Sequence, residues 1–326
     1  MKTIADLPSI SDTYVVTNTP PVLLLVFNRP DLTEQVMDQI RQAAPQKLFV
    51  GADGPRPEHP EDKKRCREAR EVATQVDWDC EVHTLFRDEN LGTKKAISSA
   101  ITWFFEHVDA GVILEDDCLP SNSFFRFCGS LMRTYRDDAR IVMISGYNPL
   151  SPWHHDEQSY HFSNYGGIWG WATWKEEWNA HHKAADVDNK NKIEQVLKNV
   201  LVEPFHVRKR TRSIIGVLDG SIDSWGYQWF WARVLQSKLS VVPAYNLVSN
   251  IGFGADATRT SNPDDPRANI DIHEMSFPLS SPKGMYPDRE YDRQWFELTH
   301  GSPPSLKDKI LHFGKLQRRR LARMIT

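Results

Sequence analysis

The chain has 326 residues, is 40 % hydrophobic and 25 % charged, and carries a formal net charge of −3. That is the profile of a globular protein and gives its body no electrostatic case for binding nucleic acid. No apolar run approaches the roughly 18 residues of a membrane span, the opening "MKTIADLPSI" lacks a signal peptide's apolar stretch, and Cys66, Cys80, Cys118 and Cys128 show no C-x-x-C or zinc-like spacing. Four free thiols in a reducing, cytoplasmic setting are expected.

From the amino terminus, "PVLLLVFN" (21–28) is a continuous apolar run ending in polar residues, the pattern of a central parallel strand. Pro30 opens a helix with Asp31 and Glu34 in its first turn and Val36, Met37 and Ile40 as its inner stripe. "KLFVGADG" (47–54) reads as a second strand ending at Asp53, 57–76 as a charged helix, and "CEVHTLF" (80–86) as a third strand. Helical spacing of Ala96, Ile97, Ala100, Ile101 and Phe104 predicts a helix within 90–108. "GVIL" (111–114) is a fourth strand, Ser121 caps a helix over 121–135, and "RIVMISG" (140–146) is a fifth strand.

This alternation predicts an α/β fold with a Rossmann-like, mostly parallel sheet and helices on both faces. Ligands bind such sheets outside the carboxyl ends of the strands. Asn28, Asp53, Arg87 and the run Glu115-Asp116-Asp117 all stand at such ends.

After residue 146 the pattern changes. "NYGGIWGWATWKEEW" (164–178) reads as a glycine-rich loop entering a helix, with Trp171, Trp174 and Trp178 on one core-facing side. A Lys-rich helix is expected over 188–200, an aromatic helix in "SWGYQWFWARVLQ" (224–236), and two short strands with a loop over 239–254. An extension over 1–20, an α/β half over 20–146, an aromatic-rich half of the same domain over 147–254, an irregular segment over 255–304 and a basic amphipathic helix over 305–326 complete the division. That last helix is either solvated or a peripheral contact with the inner face of an anionic membrane.

Three carboxylates directly after a buried strand need a chemical reason. A Mg²⁺ or Mn²⁺ site often takes only one or two protein carboxylates, the rest of its shell being phosphate oxygens and water. One member of the triplet is therefore a candidate metal ligand and its neighbours candidates for sugar hydroxyls; the simpler alternative is an acidic turn favouring the next helix. Arg29 and Asp53 are placed to meet a nucleoside, Lys94 and Lys95 to face phosphates or solvent, and Trp169 and Trp225 to stack on a sugar ring.

The segments "VFNRP", "GADGPR", "NLGTKKAISSAITWFF", "VILEDDCLPSNSFFRF" and "MISGYN" resemble, in order and spacing, the metal-dependent GT-A fold glycosyltransferases. The likeness covers about residues 20–260 and is greatest to the inverting N-acetylglucosaminyltransferase I type and its bacterial, haemolytic-protein-like relatives. The resemblance implies a nucleotide-diphosphate sugar donor, UDP-linked, and Mn²⁺ or Mg²⁺ as the metal. It implies a glycan or lipid-linked saccharide acceptor in polysaccharide biosynthesis, and inversion at the anomeric carbon. By position it implies Arg29 and Asp53 at uridine, Asp116 at ribose, Asp117 on the metal, Glu115 at the donor sugar, and "GGIWGW" as a pocket wall.

The chain departs from that pattern where a Trp-Asp is expected to supply the general base: "DSWGYQW" has Gly226 there. Asp223 is the first substitute and Asp219 the second. Arg259 stands where bacterial relatives often carry a His, suited to diphosphate but not to metal. Gly226 keeps open a second reading, a catalytically weakened nucleotide-sugar or glycan-binding relative. A nucleotidyltransferase is disfavoured because "FNRPDL" replaces a glycine-rich basic loop after the first strand.

Overall fold

The apolar run at 22–26 forms strand β1 (Val22–Val26), buried throughout because a parallel strand lies on either side, β2 (Lys47–Ala52) and β4 (Ala110–Glu115). β3 (Glu81–Phe86) pairs in parallel outside β2 and forms one edge. The computed structural model describes residues 19–183, 190–254, 262 and 264–303; the extension over 1–18, Arg259 and the basic segment 305–326 lie outside them.

Beyond β4 the sheet continues through β8 (Trp171–Trp174), β6 (Ile141–Ser145), β9 (Leu239–Pro243) and β7 (Tyr160–Ser163), giving eight strands in the order 3-2-1-4-8-6-9-7. Only β7 and β8 run against the rest. A two-stranded antiparallel ribbon, β5 (Cys118–Pro120) with β10 (Val248–Asn250), sits just past the end of β4. The expected mixed α/β fold with a mostly parallel sheet between helices is what forms.

Alternation along β1 sorts the core into two layers. Val22, Leu24 and Val26 face α1 (Pro30–Ala43) and α4 (Asn122–Thr134), with α2 (Asp62–Ala73) beside them. Leu23 and Leu25 face α3 (Thr93–His107), Trp178 of α5 (Lys175–Lys183) and Trp225 and Trp229 of α8 (Trp225–Leu235). A third cluster joins α6 (Lys190–Val200), α7 (Pro204–Leu218), the other side of α8 and α9 (Arg289–His300). Among the described residues no helix is long and apolar enough to cross a membrane, and all four cysteines are free.

Three sequence expectations are corrected. Trp171–Trp174 is a strand, and the helix begins only at Lys175. β8 fills the slot between β4 and β6, where it satisfies the backbone groups of both neighbours, and this outweighs the helical spacing of the tryptophans. Trp171 and Trp174 therefore enter opposite core layers. Second, 255–304 is not wholly irregular: α9 is capped by Asp288, whose carboxylate accepts from the Glu290 and Tyr291 N–H groups, and the helix buries Tyr291, Trp295 and Phe296. Third, Ser121 occupies the N-cap of α4 without bonding it; the carboxylate of Glu274, 151 residues away from Ser123, accepts from the Asn122 and Ser123 N–H groups instead.

Candidate active site

A cavity of about 450 Å³ opens at the carboxyl ends of β1, β2 and β4, closed on one side by the start of α3 and on the other by the start of α8. Parallel strands deliver Arg29, Asp53 and Glu115–Asp117 to one rim because their chains all leave the sheet in the same direction. Trp169, Asp223, Trp225 and Gly226 arrive from the second half of the chain.

Each carboxylate has its own surroundings. Asp116 is 7 % exposed and accepts from the Phe27 N–H at 2.9 Å. Burial, then the adjacent Asp117 charge, holds the Asp116 carboxyl well above the usual range, against the pull of Arg29. Asp117 receives Arg29 Nη1 on Oδ2 at 2.8 Å, and its carbonyl accepts from the Ile251 N–H. Asp53 accepts from the Gly54 and Leu91 N–H groups at 3.0 and 2.9 Å; burial raises its pKa and those bonds counter the rise.

Cations surround this rim. Arg56 donates from Nε and Nη2 to Asp62, which Asn28 Nδ2 also reaches at 2.7 Å. Burial opposes ionisation of Asp62, yet the bonds from Arg56 and Asn28 outweigh it and hold its pKa down at about 2. The Arg56 guanidinium stands over the Phe27 ring, so it is fixed from two sides. Arg87 donates to Ser99 Oγ at 2.6 Å, and Arg70 ties Asp53 and Arg87 together through their carbonyls.

The second half supplies the aromatic wall. Trp169 is gripped edge-on by Tyr147 and Phe253, at 4.7 and 5.6 Å between ring centroids. Trp225 is 3 % exposed and stacks on Trp171, which makes it part of the core as well as the cavity floor. Asp223 is exposed at the mouth, its Oδ2 near Gly92 at the N-cap of α3. Gly226 faces Ile168: a Cβ there would stand 2.8 Å from Ile168 Cδ1.

Of the residues singled out from sequence, the cavity brings together Arg29, Asp53, Glu115, Asp116, Asp117, Trp169, Asp223 and Trp225. It does not include Lys94 or Lys95, because α3 turns Thr93, Ala96, Ile97 and Ala100 towards it. Asp219 is exposed at the C-cap of α7, accepting from the Ser221 N–H, and is likewise not among the lining residues. Ile168 lines the cavity as part of the expected "GGIWGW" wall, whereas Arg56, Asn90 and Asn250 line it without having been anticipated; Arg56 in "GADGPR" and Asn90 at the head of "NLGTKK" carried a sequence signal, and Asn250 carried none.

No three His, Cys, Asp or Glu side chains among the described residues form a cage able to hold a metal alone. The donor set suits a different arrangement, in which one or two carboxylates share a hard cation with diphosphate oxygens. Asp117 is one of the carboxylates that line the cavity, and a cation bound at its Oδ2 would have to displace Arg29.

No family model and no curated protein matches the chain. Among solved structures it is similar to an apo UDP-glucose pyrophosphorylase, at 7 % identity and TM-score 0.38 over 71 % of this chain and 93 % of that one. A UDP-glucose pyrophosphorylase complexed with UDP-glucose matches at 7 % identity and TM-score 0.30, over 50 % and 80 % of the two chains. HddC from Yersinia pseudotuberculosis, complexed with GMP-PN, matches at 11 % identity and TM-score 0.31, over 48 % and 77 %. These likenesses are too slight to assign an activity, so the functional reading rests on the cavity itself.

Proposed function

We propose that the protein is a metal-assisted glycosyltransferase that moves a sugar from a nucleotide-diphosphate donor, UDP-linked, to a saccharide hydroxyl. The observation that carries this reading is the meeting of a nucleoside-sized rim, an acidic strand end and an aromatic-walled mouth with its own carboxylate in one cavity. Arg29 and Asp53 bind the nucleoside, the latter through lone pairs left over from its backbone bonds. Asp116 takes the ribose and Glu115 orients the donor sugar. A divalent cation on Asp117 supplies charge stabilisation for the departing diphosphate.

Asp223 accepts the proton of the acceptor hydroxyl. That oxygen then bonds to the anomeric carbon as the carbon–diphosphate bond breaks on the opposite face, inverting the centre. Trp169 and Trp225 exclude water and set the height of the sugar rings. Replacing Asp223 with Asn tests this: UDP affinity is kept while UDP release from UDP-sugars falls by 10²-fold or more. Wild-type turnover in that variant removes Asp223 as base.

Gly226 favours one alternative, a relative that binds nucleotide sugar without transferring it. Absence of both transfer and slow donor hydrolysis with Mn²⁺, across several UDP-sugars, selects it.

A further inference from the structure

Between Lys190 and Leu218 the chain carries seven Lys or Arg against two acidic residues, within a protein whose net charge is −3. On α7 the apolar side is spent on the core, with Val207, Ile214 and Val217 buried. Arg208, Lys209 and Arg212 point outward and are exposed. Lys209 lies over the Phe205 ring, whereas neither Arg208 nor Arg212 has an ion pair, hydrogen bond or ring partner among the described residues. Two exposed arginines one turn apart repel each other, so this row does nothing for the stability of the helix.

Its position gives it a use. After α7 the chain doubles back: the Ile222 N–H donates to the Gly216 carbonyl at 2.7 Å, and Ser221 Oγ to the same oxygen at 3.2 Å. Ile222 Cδ1 packs where a Gly216 Cβ would be, 2.7 Å away. Gly216, Arg212 and Arg208 follow one another at helical spacing along a single face, about 6 Å apart. The segment that ends in Asp223, at the cavity mouth, therefore lies on the same face as the two arginines.

We infer that the acceptor is an anionic saccharide whose carboxylate or phosphate groups run along Arg208 and Arg212 while its reacting hydroxyl lies at Asp223. This rests on the glycosyl-transfer reading and narrows it to a substrate class. A lipid surface fits less well, since a membrane-seated helix needs an outward apolar side and that of α7 is buried.

The test uses the full chain, an oligogalacturonate and a neutral malto-oligosaccharide of equal length, and phosphatidylglycerol vesicles. Arg208→Glu/Arg212→Glu is compared with Lys63→Glu/Arg67→Glu, which reverses two exposed charges at the same spacing on α2, neither of which lines the cavity. Expected is binding of the acidic oligomer by the wild type, about tenfold weaker binding by the α7 variant from two reversed charge contacts, no loss in the α2 variant, and no binding of the neutral oligomer. Equal losses in both variants, no loss in the α7 variant, no binding of the acidic oligomer, or capture by vesicles alone overturns the inference. UDP titrations on the same samples separate the two levels. Retained UDP binding with no acidic-oligomer binding defeats only the acceptor assignment, whereas loss of UDP binding in the wild type defeats the transferase reading beneath it.

Discussion

Arg29 Nη1 lies 2.8 Å from Asp117 Oδ2, and Gly252 presses so closely on the pair that a Cβ there would stand 2.7 Å from that nitrogen and nearer still to the carboxylate. Both side chains are only 14 % exposed, so water screens the pair weakly. One guanidinium thus occupies the carboxylate assigned to the metal. Cation binding and release of Arg29 are then linked, and the freed guanidinium becomes available to the donor.

Removing the competitor should favour the metal. Arg29→Ala is expected to bind Mn²⁺ about tenfold more tightly without nucleotide, since a like charge a few ångströms away is gone. The same variant should bind UDP more weakly. Electron paramagnetic resonance of free Mn²⁺ measures the first effect and calorimetry the second. Unchanged Mn²⁺ affinity means that Arg29 does not compete for Asp117.

Gly252 has no room for a side chain. Gly252→Ala must lift the loop after β10 or push Asp117 aside, at a cost of about 1–3 kcal/mol. A lowered thermal midpoint and weaker metal-dependent UDP binding should appear together. A variant with wild-type values for both would show that the loop yields freely.

A Cβ at Gly226 would meet only the flexible Cδ1 end of the partly exposed Ile168 side chain, 2.8 Å away. Gly226→Asp is expected to cost about 1 kcal/mol or less, because Ile168 can move its Cδ1 aside, and not to raise turnover. Adding Ile168→Ala should recover part of the loss by making space. Turnover above wild type in Gly226→Asp would instead mean that the base belongs at 226.

Acid should loosen the lobe around α9. His161 packs on Tyr291, and His300 packs against Phe296 and Trp295. Burial pulls their pKa values down from 6.5 to about 4 and about 2. In the unfolded chain both histidines gain protons near pH 6.5, while in the fold they resist until far lower. Stability is therefore intact above about pH 6.5 and falls as the pH drops towards 4, by about 3 kcal/mol for His161 alone. Asp292 acts oppositely: burial raises its pKa to about 6, so its neutral form favours the fold at acid pH and its contribution is lost as the pH rises from 4 to 6. Thermal midpoints from pH 8 to 4.5 should fall, and fall less in His161→Phe. An identical slope in that variant would remove His161 from the account.

Much of the first half could be read from the sequence because its strands are uninterrupted apolar runs and its chemistry sits where those runs stop. Asp53 and Glu115–Asp117 needed no tertiary information beyond the rule that parallel strands present their carboxyl ends together. The second half resisted for a physical reason. Trp171, Trp174 and Trp178 have helical spacing, and only the place on the ladder between β4 and β6 overrides it. Lys94 and Thr93 are neighbours, and the roll of α3 alone determines which reaches the cavity. The Arg29–Asp117 pair joins residues 88 apart, and the Glu274 cap of α4 reaches further still. Asp219 and Asp223 differ by four residues, but the turn over Gly216 leaves only the second among the lining residues.

The most direct test of the donor site is calorimetric titration of UDP into the full chain with Mn²⁺ and with chelator, repeated on Asp117→Asn. The expected result is binding that requires Mn²⁺ in the wild type and is at least about tenfold weaker in the variant, as loss of a metal-ligating charge implies. Binding of equal strength with chelator, or in Asp117→Asn, would contradict the assignment of Asp117 to a nucleotide-bridged cation. No binding of UDP in any condition would contradict the uridine donor.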